Sequence, residues 1–445
     1  WLAVGARLVP GVELDRGIFV SVAERLRAGD RLYLDVWDNK DPLFYLLGAL
    51  GRQISPYADV AIEFIWVLTA CISVTAIARS AGLNLPRRIA VGFAATPLVL
   101  TGPLYWAGYT EVPGVALTLA AFAAALDRRF FVAGVLVGLV AVFKLVVFPI
   151  GLSLLVAALY FRKQRHAYLS ASAGIFFVAV STLTLLHLRG ELIPYINALS
   201  INRGYAQLAL GESLLWPPLE HLARVFSVNY SAAFVCLLTI ATIAIWSLLE
   251  SASQSVEKIS RSLPRLLALA TVMSSVLALV LLSLMALWPH HGQILYIPAL
   301  IGLVAVASSA RIVTQSSGLL PPVLLLVVAV LLGGAAAPQV YWSALLNAEQ
   351  TLRSLSMKPA ETAELLSIGE TGTYARIGQN DDGGHAYGLM GWTLACPRFH
   401  QYFTDSSKSL NDTLDCLADV DVILKSPTGR GFPNAGTLRY NTFIA

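Results

Sequence analysis

The sequence predicts a polytopic α-helical membrane protein, and three observations carry that prediction. Hydrophobic residues make up 56% of the 445-residue chain and charged residues only 13%, about half the charged share of an ordinary soluble domain. Apolar runs of helical length recur as far as residue 339, the signature of membrane spans. Basic residues gather in every second connection between those runs, as the positive-inside rule requires. The formal net charge of +4 says less than where the 31 Lys and Arg sit.

Taken in order, Trp1 to Val9 reads as the tail of a span that the chain enters already under way, and no cleavable signal peptide is in view. From Pro10 to Leu47 the chain is polar enough to leave a bilayer. There Ile18, Phe19, Val22, Ala23 and Leu26 fall on one helical face, with Arg16, Glu24, Arg25 and Arg27 opposite. This predicts an amphipathic helix lying in the membrane interface, its apolar side in the acyl boundary, and ended by Gly29. The stretch DRLYLDVWDNKDP then packs Asp35, Asp38, Lys40 and Asp41 beside Tyr33 and Trp37, and Pro42 opens a new helical segment.

Further spans are expected near 58–80, 88–106, 112–126, 131–148, 147–161, 168–187, 231–249, 266–288, 294–310 and 319–339. With the first, that makes about eleven, some short enough to be re-entrant. Arg79, Arg87 and Arg88, then Arg128 and Arg129, then Arg162, Lys163 and Arg165, then Lys258, Arg261 and Arg265, and finally Arg311 mark the cytoplasmic connections. The first loop (10–57), Trp106 to Glu111, Leu188 to Val228, the Pro289-His290-His291 turn and the tail after Gln339 are then outside.

The composition changes near residue 340, so two domains are expected: a transmembrane domain over 1–339 and an extracytoplasmic α/β domain over 340–445. The tail offers an amphipathic helix around Trp342 to Ser356, strands at Thr373 to Gly378 and Val420 to Leu424, and a turn at Asp381-Asp382-Gly383-Gly384 without calcium-loop spacing. Cys71 and Cys236 fall inside spans as packing residues, whereas Cys396 and Cys416 in the outer domain are candidates for one disulfide.

The outward loops hold Glu13, Asp15, Lys40, Glu111, His290 and His291, with Lys144 near the outer end of its span. A positioned carboxylate can take the proton of an attacking hydroxyl, and cations stabilise a departing phosphate. Acid and lysine beside an interfacial helix therefore suit a reaction between a membrane-borne phosphate and an acceptor hydroxyl. Plainer explanations stand beside each residue. Asp15 could be a solvated carboxylate or helix N-cap, Lys40 a snorkelling lysine, and Glu111 an acid favoured by a helix dipole. Lys144 in an apolar run is costly and usually serves a polar cavity, although near a helix end it could snorkel. His290 and His291 would point apart on a helix, which disfavours a metal pair and leaves a phosphate contact or a plain interface turn. Arg203 and Tyr205 could help to enclose the site, but their spacing does not demand it.

The series Asp15, Gly17, Ala23, Gly29, Leu32-Tyr33, Asp35 and Trp37-Asp38-Asn39-Lys40-Asp41-Pro42-Leu43 resembles the first outer loop of the GT-C glycosyltransferases. These are integral-membrane enzymes that use polyprenyl-phosphate sugars, and the closest likeness is to their protein-mannosyltransferase-like and aminoarabinose-transferase-like branch. Asp41-Pro42 stands where that branch has Pro-Pro. Tyr109-Thr110-Glu111 resembles the second acidic site, Phe143-Lys144 the later lysine, and His290-His291 before Gln293 and Tyr296 the loop preceding a late span. Thr373 to Gln379 and Asp419 to Lys425 are similar to the short α/β tail of some members.

The resemblance implies Asp15 as catalytic base with inversion at the anomeric carbon, Lys40 holding the lipid phosphate, and Glu111 assisting the acceptor. Lys144, His290 and His291 would be phosphate contacts, and Tyr33, Trp37 and Tyr109 would stack on sugar faces. The donor would be a lipid-linked sugar, with no separate cofactor and no nucleotide-binding loop. The acceptor would be a lipid, polysaccharide or protein at the outer face of a bacterial inner membrane. No ligand cluster calls for a metal, and divalent metal use is left open. Two other classes compete. A transporter or flippase of a glycan substrate would be expected to show internal repeats with paired broken helices, and no convincing repeat is present. A non-catalytic membrane scaffold would leave the acid-and-lysine loop without a purpose.

Overall fold

Residues 14–38, 40–55, 58–89, 91–92, 110–162, 165–200, 242, 262–284, 289–317, 372–377, 392–394 and 422–425 are described in the computed structural model. Most are helical: α1 (Leu14–Arg27), α2 (Pro42–Ile54), α3 (Ala58–Ser80), α4 (Glu111–Leu126), α5 (Phe130–Phe143), α6 (Phe148–Arg162), α7 (Arg165–Leu188), α8 (Ser262–Leu284) and α9 (Tyr296–Ser317). Among the described residues, Ala61–Ser80, Arg165–Leu188, Leu263–Ser283 and His291–Ser308 are long and apolar enough to cross a membrane. The protein is a helical membrane protein. The runs near 58–80, 112–126, 168–187, 266–288 and 294–310 each contain a helix, displaced at its ends by up to a turn or two. The first span, most of 88–106, all of 231–249 but Thr242, the run 319–339, and the helix around Trp342 to Ser356 lie outside the described residues.

The chain divides into two compact units. One comprises Trp1–Val60, Leu185–Tyr205 and Ala344–Ala445, and the other Ala61–Thr184 and Ala206–Ser343.

In the first unit α1 packs on α2. Phe19, Val22, Ala23 and Leu26 are all buried, Phe19 meets the rings of Phe44 and Tyr45 edge-on at 5.1 and 6.1 Å, and Gly48 faces Ala23. This corrects the expected placement of the α1 apolar stripe against lipid. Pro42 starts a second apolar helix that covers the stripe, and the exposed apolar side chains Leu50 and Ile54 are on α2. Gly29 ends α1 as expected. At φ +109° it lets its own N–H reach Leu26 O (3.1 Å) and that of Asp30 reach Arg25 O (3.0 Å), the Schellman closure that favours glycine.

Glu24 ties the two helices by accepting from Arg27 on α1 and from buried Arg52 on α2, each at 2.6 Å. Burial pushes its carboxyl up, but the hydrogen bonds and charges of the two arginines outweigh that and hold it below the usual range. A depressed carboxylate adds stability above its unfolded pKa and loses it as pH falls through the folded value. Unfolding midpoints are therefore expected to drop below about pH 4. Glu24→Gln should weaken the fold at neutral pH and flatten that acid slope; an unchanged slope would assign the acid sensitivity to other carboxylates.

The unit's sheet has the order β2-β1-β3, with β1 (Gly372–Ile377), β2 (Trp392–Leu394) and β3 (Val422–Lys425) all parallel. The register pairs Thr373 with Thr393 and Ala375 with Ile423. β1 and β3 fall on the two expected strands within two residues. β2 is too short for its three residues to show an alternating pattern. The Asp381-Asp382-Gly383-Gly384 turn, Cys396 and Cys416 lie outside the described residues.

In the second unit α4 is buried along almost its whole length. Its sequence, EVPGVALTLAAFAAAL, is rich in small residues that allow neighbouring helices to approach closely. α5 and α7 meet at glycines: Gly134 faces the carbonyl of Ala171, and Gly174 that of Phe131, with no space for a side chain. The expected span 131–148 is not continuous. α5 stops at Phe143, Lys144 turns to φ −159° and ψ 87°, and a 3-10 turn over Leu145–Val147 leads into α6. The Lys144 N–H caps Val140 O at 2.8 Å and its carbonyl accepts from Val147 N–H at 3.0 Å, so the break keeps its backbone bonded.

Candidate functional site

In the first unit the loop between α1 and α2 is folded around its own polar groups. Tyr33 adopts φ +65°, a left-handed conformation unusual for an aromatic residue. Its N–H bonds Val36 O at 2.7 Å, and its hydroxyl donates to the carbonyl of Lys40 at 2.6 Å. Burial and the nearby carboxylates of Asp41, Asp38 and Glu191 push the Tyr33 hydroxyl well above its ordinary pKa, so it stays a donor. Arg31 holds Asp35 below the usual carboxylate range, chiefly by side-chain hydrogen bonds. Asp38 is fully buried and accepts from the hydroxyl of Tyr45 on α2. The ammonium of Lys40 sits 5.7 Å from the centre of the Phe19 ring, within cation–π range.

Residues 189–200 of the same unit complete the loop. Gly190, at φ +71°, ends α7, and Glu191 follows fully buried. Glu191 accepts from the Leu32 N–H at 2.9 Å and from Arg189 at 2.8 Å. In the helical stretch 192–200 the Tyr195 ring lies 5.3 Å from that of Tyr33, and its hydroxyl donates to Asp41 at 3.3 Å.

Asp15 belongs to the first turn of α1 rather than preceding the helix, where an acid also suits the helix dipole. Tyr33 and Trp37 are buried, each 7% exposed. Tyr33 braces the loop, with its ring and hydroxyl engaged with protein.

In the second unit Glu111, Lys144 and His291 come together. Glu111 begins α4 and is fully buried. Lys144 Nζ lies 2.6 Å from its Oε1, and His291 Nε2 lies 3.9 Å from the same oxygen. Thr110 Oγ1 donates to Oε2 at 3.4 Å. The helix break supplies Lys144, the 3-10 turn Pro289–Leu295 supplies His291, and Gly114 makes room, since a Cβ there would stand 3.2 Å from Val147 and 3.4 Å from Lys144. Lys144 therefore does not snorkel; it is the counter-ion of a buried carboxylate. With His291 neutral the three side chains sum to no net charge, and its protonation would add one positive charge.

Tyr109 lies outside the described residues, as do Glu13, Arg203 and Tyr205; His290 belongs to the 3-10 turn. Among the described residues no group of three His, Cys, Asp or Glu is arranged to hold a metal. Four residues escaped the sequence. Glu63, buried on α3 one turn before Trp66, was signalled by being an acid in an apolar span. Trp66 meets Phe143, the neighbour of Lys144, at 5.3 Å between ring centres. Glu191 and Tyr195 carry no local signal, because what matters is their contact with residues some 150 positions earlier.

These features define a helical membrane protein that keeps a buried Glu–Lys pair with a histidine beside it at helix ends, and a tightly braced acid-and-lysine loop. No family model matches the chain, and no curated protein matches it.

Proposed function

We propose that the chain is an inverting glycosyltransferase of GT-C type with about eleven spans and a small extracytoplasmic α/β domain. It moves a sugar from a polyprenyl phosphate to a lipid, polysaccharide or protein acceptor at the outer face of a bacterial inner membrane. Asp15 takes the proton of the acceptor hydroxyl, the oxygen attacks the anomeric carbon, and the bond from that carbon to the phosphate oxygen breaks. Polyprenyl phosphate leaves against the ammonium of Lys40. The resemblance would also give Glu111 a role toward the acceptor, and Lys144 and His291 roles toward the phosphate. The observation that supports this reading is the placing of Lys40: its ammonium lies over the Phe19 ring, its carbonyl is held by the Tyr33 hydroxyl, and Phe19 belongs to the helix whose first turn contains Asp15.

A transporter or flippase of a lipid-linked glycan is the second reading, favoured by the buried Glu111–Lys144 pair at a helix break. The test is purified protein in vesicles of its native lipids with a panel of labelled polyprenyl-phosphate sugars. Label moved to an acceptor, with polyprenyl phosphate released, supports the transferase. Movement of the intact donor between leaflets, without sugar transfer, would replace it by the carrier.

A further inference from the structure

The strongest observation not used by the reaction is the segment after α7. Residues 189–200 grip the first loop at two points: buried Glu191 takes the Leu32 N–H, and Tyr195 meets the Tyr33 ring and the Asp41 carboxylate. Between those points lies Tyr33, a non-glycine residue at φ +65°. Such a conformation is unfavourable for a side chain with a Cβ and persists only where the surroundings over-determine it. Its hydroxyl, in turn, holds the backbone carbonyl of Lys40. A chain of contacts thus runs from Glu191 and Tyr195 through Tyr33 to the residue that carries the cation.

We infer that Glu191, Tyr195 and Tyr33 are positioning residues which hold Lys40 over Phe19 to receive the phosphate of a polyprenyl-phosphate ligand. The inference rests on the proposed phosphate role of Lys40. None of the three touches the ligand. Tyr33 fixes where the Lys40 main chain sits, Tyr195 fixes the Tyr33 ring and the Asp41 side of the turn, and Glu191 fixes the start of the loop at Leu32. The left-handed turn at Tyr33 brings its hydroxyl back over seven residues to Lys40. A glycine there would relax the backbone but lose the hydroxyl that reaches the lysine.

The test uses the full chain in lipid nanodiscs and two readouts. The first is the rate at which an amine-acylating reagent modifies Lys40, followed by mass spectrometry. The second is binding of labelled polyprenyl monophosphate. Tyr33→Phe keeps the ring and loses the hydroxyl; Tyr195→Phe removes only the bond to Asp41; Tyr195→Ala removes the ring contact as well. In Tyr33→Phe and Tyr195→Ala the acylation rate of Lys40 should change, and lipid binding should weaken by about three- to tenfold, the usual worth of one hydrogen bond. Tyr195→Phe should be milder. The decisive comparison is Tyr33→Phe in a Lys40→Met background, where the second substitution should cost no further affinity because there is no cation left to place.

Unchanged Lys40 reactivity in Tyr33→Phe and Tyr195→Ala, each monodisperse and helical, would overturn the positioning role. Additive losses in the double variant would do the same, since they would show a general structural effect. If reactivity changes as expected but Lys40→Met binds the lipid like wild type, the tyrosines place the lysine and the phosphate role of Lys40 fails instead.

Discussion

Asp15→Asn is expected to lower sugar transfer by about 10²–10⁴-fold while leaving polyprenyl-phosphate binding unchanged. Asn has nearly the same shape as Asp and fits the first turn of α1, so the helix should form and pack on α2 as before. It cannot accept the acceptor's proton at neutral pH, so the attacking oxygen must expel the phosphate without a base. Single-turnover transfer and equilibrium binding on the same preparation separate the two effects. Transfer within about tenfold of wild type would mean that the base is elsewhere, and Glu13 and Glu111 would be the carboxylates to replace next. Loss of binding together with transfer would instead point to a role in holding the donor.

Breaking the Glu111–Lys144 pair should have the second large effect, on stability as well as activity. Glu111 is fully buried and the Lys144 side chain is 10% exposed, so removing either partner strands a charge in an apolar environment. Such losses cost about 3–5 kcal/mol, whereas replacing both partners by apolar or neutral groups is often close to neutral. Glu111→Gln and Lys144→Met should each lower the thermal midpoint sharply, and the double variant should recover most of it. Transfer assays on the recovered double variant then tell structure from chemistry. A stable double variant that has lost transfer gives the pair a role in the reaction. One that transfers normally would make it a structural ion pair and remove Glu111 and Lys144 from the mechanism.

The membrane class, several helix positions and the composition of the first loop were legible because each rests on local pattern. Hydropathy over a span, a glycine after a helix, and a proline at the next helix start are properties of neighbouring residues, and α1, α2 and the Gly29 closure follow from them. Strands β1 and β3 were legible for the same reason. The destination of an apolar stripe was not. The pattern of α1 says only that one face must be covered, and protein covers it as well as lipid does. α2 was the nearer partner, so Phe19 and Ala23 are buried against Phe44, Tyr45 and Gly48.

The sequence by itself determined that this chain is a helical membrane protein, which residues could bear chemistry, and that an acid and a lysine share one short loop. Only the tertiary structure decided their partners. Lys144 could be read as snorkelling or as lining a cavity until Glu111 and His291, distant in the chain, were found beside it. The left-handed turn at Tyr33 is likewise held by Tyr195 against its ring and by the Lys40 carbonyl at its hydroxyl. The physical reason is common to both. The cost of a buried charge or a strained turn is fixed by the residue, but the contact that offsets it comes from another part of the chain, and local sequence does not encode which part.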